Sequence, residues 1–138
     1  MAEALAVAKP YLAAYARFDL EALRPFLDEE STWCDPTSAE LGEGGKPVHG
    51  AEAILAELRR STTNVQDLRF EFDETFASGG HVVAIGTLLY TLPPEALGRT
   101  ERPAHFALRV VVALKIVGKT VRSHTDYSDF SHWQEAAR

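Results

Sequence analysis

The chain has 138 residues, 46% of them hydrophobic and 25% charged, which suits one domain (1–138) with a full core and leaves little room for a second. A net charge of −6 without any strongly basic run argues against nucleic acid, whose phosphates need clustered Lys and Arg, and against anionic membranes. The single cysteine, Cys34, excludes a disulfide within the chain, and the opening Met1-Ala2-Glu3-Ala4-Leu5 lacks the pattern of a secretion signal, so a cytoplasmic protein is expected.

The first 18 residues read as a helix. Leu5, Ala8, Leu12 and Tyr15 form one apolar stripe, with Val7, Tyr11, Ala14 and Phe18 beside it. Pro10 either kinks this helix or starts its regular part. Asp19 is placed to cap a short second helix carrying Leu20, Leu23, Phe26 and Leu27. Ser31 to Asp35 reads as a short strand stopped by Pro36, and the glycine-rich stretch Ser38 to Pro47 as a mobile loop. A third helix is expected over 51–62, burying Ile54, Leu55 and Leu58. Leu68, Phe70 and Phe72 then alternate with Arg69, Glu71 and Asp73, the period of a strand wet on one face. Ser78-Gly79-Gly80 turns the chain into a long apolar strand, His81 to Leu92. After a loop through Pro93, Pro94 and Pro103, His105 to Val117 and Thr120 to Tyr127 form a hairpin around Gly118, and the tail is a short helix or coil. Helices first, then antiparallel strands, define an α+β domain, with helices on one face of a curved sheet and a hollow at its mouth suited to a small apolar molecule.

Several polar residues fall where that hollow is expected. Asp35 beside Pro36 either opens a turn or stands as a desolvated base. Tyr11 is core or an oxyanion donor. His124 and Asp126 share one strand face, a proton pair or half of a metal site; no third ligand is evident, so neither metal nor cofactor is expected. The direction of Asp126 depends on the hairpin register. A two-residue loop of Val117 and Gly118 sets Arg109 opposite it as a cross-strand ion pair, whereas a three-residue loop sets Val110 opposite and turns Asp126 inward. Cys34 reads as a small buried thiol, His49 as a residue fixing the start of the third helix, and Trp133 as a closure of the cone or a contact with a partner chain.

The run Tyr11-Leu-Ala-Ala-Tyr15, Asp19-Leu20-Glu21, Phe26-Leu27-Asp28-Glu29, Thr32-Trp33-Cys34-Asp35-Pro36 and Val48-His49-Gly50-Ala51-Glu52-Ala53-Ile54, with the closing His124-Thr125-Asp126-Tyr127-Ser128-Asp129-Phe130, resembles the SnoaL-like branch of the nuclear transport factor two superfamily. The resemblance implies a cystatin-like cone, with three N-terminal helices packed on a curved, mostly antiparallel sheet. Relatives include ketosteroid isomerases, limonene-type epoxide hydrolases and polyketide cyclases. Tyr11 matches the tyrosine that meets the substrate oxygen in ketosteroid isomerases, and Asp35 the aspartate that moves the proton; their third group, a protonated aspartate, falls on Val112, which has no hydrogen to give. Asp126 matches an aspartate of the epoxide hydrolases, whose Arg-x-Asp falls near Gly86 and Leu88. The family pattern favours an inward Asp126.

Catalytic Asp35, Tyr11, Asp126 and His124 are therefore expected, in a pocket walled by Tyr15, Trp33, Val110 and Val112. The implied reaction is a cofactor-free lyase, isomerase or cyclase step on an apolar carbonyl compound, through Asp general acid/base chemistry. The alternative is a non-catalytic ligand-binding or dimerisation module, which holds if Tyr11, Asp35 and Asp126 do not share one cavity. A homodimer through the sheet face is expected, because Ala107, Val111 and Ala113 lie there between charges.

Overall fold

In the computed structural model, residues 2–41, 44–97 and 103–130 are described. Helix α1 (Ala2–Ala16) contains Pro10 on its exposed side, so the missing N–H costs the helix a bond without breaking it. It ends on Phe18 in the left-handed region (φ 55°), with Asp19 N–H bonded back to Ala14 O and Phe18 N–H to Tyr15 O. Asp19 caps α2 (Leu20–Leu23) by accepting from Ala22 N–H. Helix α3 (Ala51–Ser61) buries Ile54, Leu55 and Leu58, as its spacing requires.

Six strands form one sheet in the order β2-β1-β6-β5-β4-β3. They are β1 (Thr32–Cys34), β2 (Val48–His49), β3 (Gln66–Ser78), β4 (His81–Leu92), β5 (Ala104–Val117) and β6 (Thr120–Ser128). All pairings are antiparallel except β1 with β6, which is parallel. The expected loop 38–47 is only partly irregular, because a 3₁₀ turn spans Pro36–Leu41 and β2 follows. His49 is exposed and pairs with Thr32 across β2 and β1. Trp133 and most of the C-terminal tail lie outside the described residues.

The hairpin register differs from both alternatives read from the sequence. Val117 pairs with Thr120, so the turn is Gly118-Lys119, with Gly118 supplying the positive φ (61°) that such a turn needs. A bulge then leaves Arg122 unpaired between Val121 and Ser123, and Val112 faces Asp126. The extra residue restores the parity that turns Asp126 to the covered face. Arg109, expected opposite Asp126 in one alternative, instead bonds Asp73 at 2.7 Å and Thr87 at 2.9 Å on the other face. Among the described residues nothing covers that outer face: Phe76 and Tyr127 are 53% and 47% exposed there.

Candidate active site

Helix α1 crosses the inner face of β6 so that two ladders of polar groups meet. Four residues along a helix and two along a strand advance by about 6 and 6.6 Å respectively. Tyr11 and Tyr15 therefore reach His124 and Asp126 one to one. The Tyr11 hydroxyl lies 2.6 Å from His124 Nδ1, and His124 Nε2 lies 2.6 Å from Asp126 Oδ1. The Tyr15 hydroxyl donates to Asp126 Oδ2 at 2.5 Å. All four side chains are buried, between 0% and 5% exposed. Charge-bearing groups are kept in such surroundings only when hydrogen-bonded, and each member of this chain is.

The parallel register of β1 sets Trp33 beside His124, their rings 6.3 Å apart. Continued by one residue, it brings Asp35 next to Asp126. The Asp35 backbone carbonyl receives Ser38 N–H and Oγ–H, so the turn-opening role is real. Among the described residues its carboxylate takes one side-chain bond, from Thr37 Oγ–H at 2.9 Å. Burial raises the Asp35 pKa above the ordinary 3.8; the Thr37 bond opposes this and the nearby charge of Asp126 adds to it. Burial, then the charge of Asp126, also holds Tyr11 and Tyr15 well above the ordinary tyrosine value, so both remain phenols. The Trp33 indole N–H favours the opposite direction at Tyr15, yet it makes no hydrogen bond among the described residues.

A cavity of about 990 Å³ opens in front of this chain, and both Asp35 and Asp126 are in its wall. Tyr15, Trp33, Phe18 and Phe70 form its aromatic side, and Leu88 and Leu108 its aliphatic floor. Tyr15 stacks on Phe70 at 4.8 Å, and the left-handed turn at Phe18 sets that ring 5.6 Å from Tyr15. Lys46, Pro47 and Arg60 reach the cavity from the loop before β2 and from α3.

Four expected site residues are not in the cavity wall. Tyr11 is fully buried behind His124, because it lies one helical turn before Tyr15 on the same face of α1, against Phe26 and away from the cavity. Val110 and Val112 belong to the core under α1. His124 is also out of the wall and touches the cavity only through Asp126. The tyrosine that faces the cavity is Tyr15. The matching rise of Tyr11-x-x-x-Tyr15 and His124-x-Asp126 was the available sequence signal for the whole chain. Cys34 turns away and donates to Gly45 O at 3.3 Å. At Gly86, a Cβ would sit 2.2 Å from the Glu71 carbonyl oxygen, so no relay side chain fits there.

An open cone with helices on one sheet face, a large apolar cavity and one buried and one half-buried acid at its wall defines a small-molecule pocket domain. The sequence profile of the SnoaL-like domain matches residues 8–124, and the chain belongs to that family. No curated protein matches the sequence. Among solved structures, two proteins described as SnoaL-like polyketide cyclases are similar to it, each 24% identical. The one from Shewanella putrefaciens has a TM-score of 0.79 over 95% of this chain and 93% of that one. The one from Shewanella denitrificans has a TM-score of 0.77 over 93% and 91%. An LEH-like epoxide hydrolase from M. tuberculosis, 16% identical, has a TM-score of 0.70 over 94% of this chain and 85% of that one. These likenesses establish the fold.

Proposed function

We propose that this protein is a cofactor-free isomerase, cyclase or lyase that moves a proton on a mostly apolar carbonyl compound. The observation that carries the reading is that Asp35 and the Tyr15–Asp126 end of the buried chain open on one cavity. Asp35, desolvated and with a single side-chain partner, takes a proton from the carbon next to the carbonyl. Tyr15 turns its hydrogen from Asp126 to the carbonyl oxygen as negative charge builds there, the role expected of Tyr11 from the sequence. Asp126 keeps the His124 N–H during that exchange and receives the Tyr15 hydrogen back afterwards. The relatives described as polyketide cyclases support this class of chemistry. The epoxide-hydrolase reading has less behind it, since Gly86 and Leu88 stand where its Arg-x-Asp would be.

Incorporation of deuterium at the α-carbon of β-tetralone in heavy water, followed by proton NMR, tests the proposal. The wild-type protein is expected to accelerate exchange well above the buffer rate. Binding of the ketone without faster exchange would leave a non-catalytic ligand-binding module. For assembly, we propose that a second copy covers the outer sheet face, where Phe76 and Tyr127 leave large ring areas in water; light scattering showing a clean monomer would remove that proposal.

A further inference from the structure

We infer that Tyr11 is a positioning residue, which holds the His124 ring so that its Nε2–H stays aimed at Asp126. The inference rests on the proposed role of Asp126 and Tyr15. An ionised carboxylate only accepts hydrogen bonds, so with Oδ2 taken by Tyr15 and Oδ1 by the ring, His124 Nε2 must hold a hydrogen. That leaves Nδ1 facing the Tyr11 hydroxyl at 2.6 Å. Tyr11 is 0% exposed and His124 1%, so water has no access to replace this partner.

A hydroxyl is the one side-chain group that serves Nδ1 in both of its forms. It donates to the bare nitrogen of the neutral ring and accepts from the N–H of the imidazolium. His124 therefore keeps both bonds whichever form it takes, and Nε2–H stays aimed at Asp126. The groups around the ring set no competing preference. Asp126 lies on its own strand, Tyr11 and Tyr15 face it from α1, and Trp33 flanks it from β1 with Asp35 beyond. Leu114 pairs with it on β5 and carries no charge. No lysine or arginine is among these neighbours.

Tyr11→Phe keeps the ring against Phe26 and His124 and deletes only the hydroxyl. Nitrogen-15 NMR of the histidine rings reads the outcome directly, with His124 assigned by its loss in His124→Gln. In the wild type, His124 is expected to show its hydrogen on Nε2, exchanging slowly with solvent. In Tyr11→Phe, loss of the hydrogen-bonded shift at His124 Nδ1 and at least tenfold faster N–H exchange are expected. An unchanged Nδ1 shift and exchange rate in that variant would overturn the inference. Should Tyr11→Phe not fold, ring-fluorinated tyrosine placed at position 11 keeps the size and makes the hydroxyl a stronger donor. The His124 Nδ1 resonance then shifts further toward the hydrogen-bonded acceptor value, and no movement overturns the inference. The β-tetralone assay separates this claim from the proposed function: no exchange of the ketone α-hydrogen, with a Tyr11-dependent His124 N–H exchange rate, refutes the reaction and leaves the positioning intact. With the reaction present, kcat in Tyr11→Phe falls about tenfold while KM stays within twofold.

Discussion

Replacing Asp126 by alanine will destabilise the fold by about 3–5 kcal/mol, because it strands two buried donors at once. Tyr15 O–H and His124 Nε2–H both end on this carboxylate, and neither side chain has access to water. Urea unfolding is the measurement, with the midpoint falling and the denaturant slope unchanged if only stability is lost. Asp126→Ala combined with Tyr15→Phe will cost less than the two single changes added together, since the second removes a hydroxyl that the first has left unpaired. A loss under about 1 kcal/mol in the single variant would mean that the four-residue chain does not hold in solution.

Asp35→Asn is the second large effect, and it acts in opposite directions on activity and stability. Exchange of the β-tetralone α-hydrogen will fall about a hundredfold or more, with little change in KM, because the amide cannot take a proton. The fold will gain at neutral pH. Burial raises the pKa of Asp35 in the folded chain, so its contribution is fully present below the ordinary 3.8 and is lost as pH rises through the higher folded value. Asparagine escapes that loss. Thermal unfolding will therefore show the variant above the wild type at neutral pH, with the gap closing toward pH 3.8. A site that holds a carboxylate in a desolvated place sacrifices stability for reactivity, and this substitution exposes the exchange.

The fold was legible because its signals are local. The stripes of α1 and α3 and the alternation of Leu68, Phe70 and Phe72 are periodicities that the backbone must obey. The short β1–β2 pairing was only half visible, since two residues at Val48 and His49 carry no period. The site was legible as a set of residue types and not as an arrangement. Asp126 points inward through a bulge at Arg122, and nothing in the composition of that strand marks the extra residue. The choice between Tyr11 and Tyr15 turned on the position of α1 along its own axis relative to β6. Both stripes of that helix are apolar, so both tyrosines are buried, and only the packing decides which one meets the cavity. Gly86 is a similar case: the close approach of the β3 backbone at Glu71 and Phe72 excludes a side chain there, a contact between strands that neither segment reveals alone.

Carbon-13 NMR titration of the Asp35 carboxyl group, assigned by its disappearance in Asp35→Asn, probes the desolvated base without needing a substrate. The expected result is a midpoint above 3.8, reflecting a carboxylate stripped of water beside the charge of Asp126. A midpoint at or below that value would place Asp35 in ordinary solvent contact and contradict its role as the proton-moving group.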